Sequence, residues 1–301
     1  MKIVVTGSHG FIAQALLPSL VSSGHTILRL VRSTPGVENN EYSWDPYNGK
    51  LDTSIFDGVD AVIHLGGESI AAGRWTTSNK QRILESRTIP TRFLADTLAS
   101  CTSPPKTFIC ASAIGYYGDR GEEIVTEESS PGTDFLANVC REWEAATSPV
   151  ATKGVRVVNL RFGLILSKAG GALAKLLLPF KFGVGGKLGS GNQYWSWISI
   201  DDVIGIIHHA LMNQSVRGPV NIVSMNAVMS GEFTKILGKV LSRPAIVPAP
   251  AFALRLMLGE MADALLLSSA RVHPKKLLDT HYNFQYTDLE GALQHLLGKS
   301  R

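Results

Sequence analysis

The residues best suited to chemistry lie in a short loop near the start of the chain, directly after the apolar run at residues 3–5. The loop, residues 6–13, reads TGSHGFIA. The order is a strand, then a glycine turn, then the beginning of a helix. This arrangement directs backbone N–H groups and the helix N-terminus at one point, which suits a phosphate. Gly7 permits the tight turn, Gly10 lets the backbone approach a pyrophosphate without a Cβ, and the small Ala13 lets helix and strand lie close. The pattern favours a dinucleotide site over an ordinary βα turn, and the predicted contacts are Gly7, Ser8, His9, Gly10, Phe11 and Ile12.

The end of the second predicted strand, residues 25–31, indicates which dinucleotide fits. In proteins that prefer NAD, an Asp or Glu at this place holds the ribose 2′-hydroxyl. Here Arg32 and Ser33 follow the strand, and no acid is present. A guanidinium pairs with a 2′-phosphate in a bidentate manner, and a hydroxyl adds a hydrogen bond. The pattern favours NADP(H), with an ordinary surface arginine as the alternative.

Further candidate residues follow the later predicted strands. Gly66 and Gly67 would let the backbone pass close to the cofactor, although a plain strand-ending turn would need the same glycines. Glu68 could accept a hydrogen bond from a ribose hydroxyl. Ligands of parallel sheets bind at the carboxyl ends of the strands. The predicted cofactor site therefore also includes the residues at such ends, namely Leu65, Ala111, Ser112 and Arg161.

These loops require a framework that brings several strand ends together. Strand-like runs alternate with helical ones over the first half of the chain, which predicts a parallel sheet covered on both faces. The predicted strands are 3–5, 25–31, 61–65, 107–111 and 155–160, and the predicted helices are 11–22, 78–99 and 136–146. We therefore predict an α/β fold, a doubly wound parallel sheet of the NAD(P)-binding Rossmann type with a smaller, mostly helical C-terminal lobe. The predicted boundaries are 1–166 plus 199–225 for the Rossmann domain and 167–198 plus 226–301 for the lobe.

Composition narrows the class of protein. The 301 residues carry a formal net charge of +4, a mild excess that does not resemble a nucleic-acid footprint but suits an anionic cofactor or substrate. Three cysteines without C-x-x-C spacing indicate neither a disulfide framework nor a metal site. The apolar stretches are too short to cross a bilayer. We expect a cytoplasmic protein without a metal, and with neither nucleic acid nor a membrane as partner.

Motifs along nearly the whole chain resemble those of a known family, the extended short-chain dehydrogenase/reductases. These motifs are the loop at 6–13, HLGG at 64–67, ASAIGYYG at 111–118, LRFG at 160–163 and WISIDD at 197–202. The sequences WDP at 44–46, GESI at 67–70 and GSGNQ at 189–193 are similar to the "epimerase family protein" branch, which resembles sugar-nucleotide epimerases. The resemblance implies a Rossmann domain, an NADP-type cofactor and a C-terminal lobe of unassigned role.

The chain departs from this family at the catalytic helix. Typical members carry a Tyr-x-x-x-Lys pair there, in which the tyrosine is the general acid/base and the lysine lowers its pKa and holds the nicotinamide ribose. When Glu144 is matched to the glutamate that often follows the pair, Leu136 and Cys140 fall at the two positions. Neither side chain can perform that chemistry.

Other residues must then supply the acid. The family's serine or threonine after the fourth strand falls on Ala113, with Ser112 one residue earlier. Tyr116 is the nearest phenol, and the alternative for it is a packing role. We predict Tyr116 and Ser112 as the catalytic residues.

Two functions remain open from the sequence. One is an NADP(H)-dependent oxidoreductase or epimerase that acts on a small carbonyl or sugar-nucleotide-like substrate. The other is an NADP(H)-binding sensor or scaffold with little or no turnover, which the degenerate catalytic helix favours. Related enzymes often form homodimers, and a homodimer is a candidate here.

Overall fold

The computed structural model describes residues 1–32, 35–36 and 40–299. The first half contains most of the strands, namely β1 (Lys2–Thr6), β2 (Thr26–Val31), β3 (Glu41–Asp45), β4 (Lys50–Leu51), β5 (Ala61–His64), β6 (Thr107–Ala113), β7 (Ile124–Val125), β8 (Arg156–Phe162) and β9 (Leu164–Leu166). The remaining strands are β10 (Tyr194–Trp195), β11 (Trp197–Ser199), β12 (Gly218–Ile222), β13 (Val228–Met229) and β14 (Arg271–Val272).

The helices alternate with these strands in the first half and dominate the C-terminal part. They are α1 (Phe11–Ser22), α2 (Thr77–Ser100), α3 (Phe135–Ala145), α4 (Ser148–Ala151), α5 (Gly171–Lys181), α6 (Ile200–Met212), α7 (Ser230–Leu241), α8 (Ala251–Leu258), α9 (Glu260–Ala262), α10 (Lys275–Asp279) and α11 (Leu289–Leu296). Short 3₁₀ turns lie at Thr53–Phe56 and Ile114–Tyr117, and a π-helical turn at Asp263–Leu267.

A central sheet of eight strands organises the molecule, in the order β12-β8-β6-β5-β1-β2-β3-β4. All neighbours are parallel except β3 and β4, which form an antiparallel hairpin at one edge. Helix α1 packs against α6, while α2 packs against α3 and α4. The strand order changes direction between β1 and β5, which is the crevice where doubly wound sheets bind their ligands. The predicted Rossmann-type α/β fold is confirmed.

The central strands are mostly apolar and their polar residues lie towards the ends, as expected where helices cover both faces of the sheet. Ile3, Val4 and Val5 of β1 are fully buried, and so is the whole of β5. Helix α1 has the predicted bounds. It begins after Gly10, which has no side chain to cap the first turn, so the N–H groups of that turn point into the crevice without an internal partner.

The edge hairpin of β3 and β4 was not predicted from the sequence. Trp44 is the one side chain of β3 that is buried, and the apolar alternation that would signal a half-buried strand is absent. The hairpin matters because it extends the sheet beyond β2 and carries Trp44 to the edge of the crevice.

The C-terminal lobe is attached to the sheet by buried polar contacts. Ser199 caps α6 by accepting from the Asp202 N–H at 3.0 Å. The Asp202 carboxylate is buried and accepts from the backbone N–H groups of Gln285 and Tyr286 at 2.7 and 3.1 Å. Strand β14 of the lobe pairs with β7. The domain boundaries given from the sequence stay a prediction. None of the described helices is both long and apolar enough to span a bilayer.

Substitution of Gly7 tests how closely the ends of β1 and β5 approach each other. Gly7 has φ +69°, and a Cβ added there would lie 2.7 Å from the carbonyl carbon of Leu65. We expect Gly7→Ala to lower the free energy of unfolding by about 2–5 kcal/mol, because alanine is strained in the left-handed backbone conformation and its Cβ would overlap the Leu65 backbone. Gly24→Ala is the matched control, because Gly24 has φ +80° with open space around its Cβ position. Gly24→Ala should lower the free energy of unfolding by only about 1–2 kcal/mol. Equal losses in urea unfolding would contradict the close approach.

Candidate functional site

A cleft of about 330 Å³ opens at the carboxyl ends of β1, β2 and β5. Nine of the predicted cofactor residues line it, namely Gly7, Ser8, His9, Gly10, Arg32, Leu65, Gly66, Gly67 and Glu68. The structure therefore brings together three loops from residues 7–10, 30–32 and 64–68. Their contact with a cofactor stays a prediction, and Ser33 lies outside the described residues.

The glycine turn forms the floor of the cleft. The Gly10 N–H donates to the Gly7 carbonyl at 2.9 Å, which closes the turn. The Ser8 side chain is buried, and its Oγ has no hydrogen-bond partner among the described residues. A buried hydroxyl without a partner, beside uncapped N–H groups of α1, is chemistry that fits an anionic oxygen.

The wall opposite the turn combines a cation with aromatic and imidazole rings. Arg32 and Trp44 border both the main cleft and a second opening, which is also lined by Ser43, Asp45, Lys50, Leu51 and Asp52. His64 lies behind them, with its ring edge-on to Trp44 at a centroid distance of 6.2 Å. Its Nδ1 is hydrogen bonded to Thr6 Oγ1. Burial lowers the pKa of His64 to about 4, so the ring is neutral at pH 7.

Six cleft residues were not among the predicted site residues: Leu30, Val31, Trp44, His64, Ser86 and Pro90. Trp44 and His64 belong to the WDP and HLGG motifs of the family resemblance, which was the available signal for them. Ser86 begins another short match to the same branch, at residues 86–87, whereas nothing local in α2 indicates that Pro90 faces a cleft.

Phe11 and Ile12 follow the glycine turn on the first turn of α1. A Cβ built on Gly170, at the start of α5, would lie 3.1 Å from the Phe11 Cβ. Phe11 therefore seats the beginning of α5 against the glycine turn. Both residues pack against the hydrophobic core, and a direct contact with the cofactor stays a prediction.

Ser112 and Arg161 meet in a buried polar network at the ends of β6 and β8. Arg161 donates from Nε and Nη2 to the two carboxylate oxygens of Glu144, each at 2.8 Å. Ser112 Oγ donates to Glu144 Oε1 at 2.7 Å. The side chains of Arg161 and Glu144 are 3% and 12% exposed. Burial alone would lower the pKa of Arg161, but the hydrogen bonds and charge of Glu144 raise it above its ordinary value.

The network continues through Tyr117. Arg161 Nη1 donates to the Tyr117 hydroxyl at 2.9 Å, and that hydroxyl donates to Asn221 Oδ1 at 2.7 Å. Burial raises the pKa of Tyr117 to about 12, so this phenol keeps its proton. Ala111, Ser112 and Arg161 are thus buried strand-end residues, and cofactor contacts for them, like a catalytic role for Ser112, stay predictions.

Tyr116 is held differently from its neighbour. The guanidinium of Arg161 lies against the face of the Tyr116 ring, 3.5 Å from its centroid, and the Tyr117 ring meets it edge-on at 5.4 Å. Tyr116 is partly exposed, and no described residue forms a hydrogen bond with its hydroxyl. The ring is fixed by a cation–π contact while its polar end is left available.

The three positions where the resemblance implies serine, tyrosine and lysine come together in space. A Cβ on Gly115, two residues after Ala113, would lie 3.3 Å from Leu136 Cβ and 3.8 Å from Cys140 Sγ. Burial raises the pKa of Cys140 to about 12, so the thiol is neutral. In the 301 residues no tyrosine is followed four positions later by lysine. This cluster has no proton donor that works near pH 7.

This is the site of a nucleotide-binding Rossmann protein, and the comparisons define its family. The chain belongs to the NAD dependent epimerase/dehydratase family, whose model matches residues 3–223. Residues 249–296 match a domain of unknown function, DUF1731. The predicted resemblance to this family is confirmed.

Three similar proteins illustrate the match. Epimerase family protein ML0860 of Mycobacterium leprae is 38% identical over 293 residues, which cover 97% of this chain and 94% of that protein. The crystal structure of human epimerase family protein SDR39U1 with NADPH is 31% identical and has a TM-score of 0.91 over 100% of both chains. A nucleoside-diphosphate sugar epimerase from Corynebacterium glutamicum is 39% identical, with a TM-score of 0.82 over 99% of this chain and 58% of the other.

The buried Glu144–Arg161 pair gives a direct test of the network. Glu144→Gln keeps the shape but leaves the Arg161 charge without its counter-charge, so we expect a loss of about 3–5 kcal/mol in the free energy of unfolding. Glu142→Gln, on the exposed side of the same helix, should change it by less than about 0.5 kcal/mol. Urea unfolding of both variants measures the difference. Similar values for the two would contradict a buried, mutually dependent pair.

Proposed function

We propose that the chain is an NADP(H)-dependent oxidoreductase or epimerase that acts on a small carbonyl or sugar-nucleotide-like substrate. The observation that carries this proposal is the position of Arg32 in the cleft, across from the glycine turn and at the end of β2. A carboxylate at that strand end would repel a 2′-phosphate, whereas a guanidinium attracts it. The NADPH in the crystal structure of the human relative supports the same cofactor.

The residues of the cleft fit this cofactor. The N–H groups of the first turn of α1 and the unpartnered Ser8 hydroxyl would hold the pyrophosphate. The Trp44 side of the cleft, beside Arg32, would hold the adenosine end. When bound, NADP(H) supplies hydride-transfer chemistry, and the protein supplies binding and orientation.

Cofactor selectivity should depend on Arg32. Arg32→Ala removes a charge-assisted contact to the 2′-phosphate, so we expect NADPH to bind about 10–100-fold more weakly while NADH affinity is unchanged. Fluorescence titration with both dinucleotides measures this. Arg217→Ala is the matched control, because Arg217 is exposed and immediately precedes β12, at the opposite edge of the sheet. If NADPH binding survives Arg32→Ala, the assignment of the 2′-phosphate position is wrong.

We propose Tyr116 as the residue that exchanges a proton with the substrate. It lies at the carboxyl end of β6, next to the Leu136–Cys140 cluster where related enzymes carry their acid. Its hydroxyl is accessible, whereas that of Tyr117 is buried and committed to Asn221. Arg161 would act as a positioning residue, because its guanidinium is fixed by Glu144 and supports the face of the Tyr116 ring.

A Tyr116 variant distinguishes an effect on cofactor binding from an effect on proton transfer. Tyr116→Phe keeps the ring on Arg161 but removes the hydroxyl, so we expect kcat to fall by about 10²–10⁴-fold with an unchanged NADPH affinity. Tyr42→Phe, at an exposed tyrosine of β3, is the control and should leave both quantities unchanged. Turnover is followed by nicotinamide absorbance with a panel of carbonyl compounds and sugar nucleotides. Full activity in Tyr116→Phe would remove Tyr116 from the reaction.

A second function is favoured by the neutral cluster of Ala113, Leu136 and Cys140. A protein that binds NADP(H) as a sensor or scaffold needs the glycine turn and Arg32 but not the acid/base pair. The same titration and turnover measurements distinguish the two functions. Tight NADPH binding without consumption by any substrate of the panel would favour the sensor.

A further inference from the structure

The C-terminal lobe exposes an unusual group of large apolar side chains. Six of them, which we call the apolar surface, are Phe182, Val184, Ile246, Phe252, Leu256 and Met257. Their exposed fractions lie between 54% and 80%. Scattered single apolar residues are normal on proteins, but a grouped set of this kind marks an interaction site.

Backbone contacts show that these residues belong to one surface. The Val247 N–H donates to the Gly185 carbonyl at 3.1 Å and the Ala249 N–H to the Lys187 carbonyl at 2.9 Å. The chain after α5 therefore runs beside the chain before α8. A Cβ on Gly189 would lie 3.9 Å from the Ala251 Cβ, which brings the start of α8 to the same place. Phe252 and Leu256 are four residues apart and share one face of that helix.

The charges around this surface are mainly positive, and the two nearby carboxylates are paired, Glu260 with Lys80 and Asp263 with Arg255. Residues 171–189 and 243–258 contain five cations, Lys175, Lys181, Lys187, Arg243 and Arg255, and no Asp or Glu. Arg255 pairs with Asp263 at 2.9 Å. The other four are exposed, and within the part of the chain that the structure describes no carboxylate lies within salt-bridge distance of them. An apolar centre with an unneutralised basic rim is complementary to a surface that is apolar inside and anionic outside.

This combination discriminates between occupants. A small molecule would sit among side chains that wall a cavity, whereas four of these six side chains are at least 72% exposed and so protrude. A second copy in a two-fold dimer would bring the same patch onto itself and oppose its cations. A phospholipid bilayer accepts protruding apolar side chains at its interface, and anionic headgroups attract Lys and Arg. We propose that the apolar surface binds the surface of an anionic phospholipid bilayer.

Binding from one side needs no spanning segment. The sequence indicated no membrane partner because its apolar stretches are too short to cross a bilayer, and that criterion does not apply to surface contact. The apolar surface is also fixed relative to the Rossmann domain. Arg74 Nη2 donates to the Leu256 carbonyl at 2.6 Å, and Lys80 Nζ donates to Glu260 Oε1 at 2.7 Å. A docked protein would therefore hold its cofactor cleft at a set orientation to the bilayer.

Co-sedimentation of the full chain with lipid vesicles tests the proposal. We expect binding to vesicles of phosphatidylcholine with phosphatidylglycerol, weak binding to phosphatidylcholine alone, and a loss of binding as salt is raised. The double variant Phe182→Ser/Leu256→Ser should bind the anionic vesicles about 10-fold more weakly or worse. Met212→Ser is the matched control, since Met212 is 68% exposed on α6 outside the apolar surface. Lys181→Glu/Arg243→Glu should abolish the preference for anionic lipid.

Circular dichroism of each variant shows that it is folded, and the sedimentation needs no cofactor, so this test is independent of the proposed function. No binding of the wild-type chain to anionic vesicles would overturn the proposal. So would vesicle binding that all the variants retain. A concentration-dependent dimer in analytical ultracentrifugation that Phe182→Ser/Leu256→Ser abolishes, without vesicle binding, would assign the surface to a second copy instead.

Discussion

The candidate site depends on the close approach of two strand ends, at Gly7 after β1 and at the Leu65–Gly66 peptide after β5. No side chain fits between them, because a Cβ on Gly7 would meet backbone atoms at 2.7–2.8 Å. One residue earlier, Thr6 and His64 are paired in register and joined by a hydrogen bond. The first turn of α1 and the Gly66–Gly67 backbone therefore face the same crevice. The geometry that suits a phosphate is thus made almost wholly by main chain.

At the carboxyl ends of β6 and β8, the polar groups are side chains that are paired with one another. The positive charge of Arg161 is neutralised by Glu144, which accepts two hydrogen bonds from it, and Tyr117 accepts a third. A buried, hydrogen-bonded ion pair holds its surroundings in one arrangement, even where its net contribution to stability is small. Here the arrangement that it holds is the position of the Tyr116 ring. The Glu144–Arg161 ion pair therefore serves to position side chains at this end of the site.

The sequence predicts those parts of the fold and site that are determined locally. Helix α1 and the strand before it follow from apolar runs separated by glycine, and both have the expected bounds within a residue. The β3–β4 hairpin was not predicted, because Trp44 is buried by tertiary packing that no local alternation announces. The Glu144–Arg161 contact joins a helix to a strand, and the pairing of such groups is set by topology and not by spacing. For the same reason the sequence could group Arg161 with the cofactor residues, although its guanidinium faces Glu144.

Phosphate recognition by peptide N–H groups and proton transfer by one side chain differ in how they depend on sequence. The first survives most substitutions as long as Gly7 and its neighbours keep the turn, whereas the second is lost when a single phenol or amine is replaced. The chain shows this contrast within one domain, with an intact glycine turn beside a neutral Leu136–Cys140 cluster. A reaction that needs an acid at this place would therefore require a group outside the Leu136–Cys140 cluster. The Tyr116 phenol, which we propose for that role, is partly exposed and seated on Arg161, and it lies on the turn after β6 and not on α3.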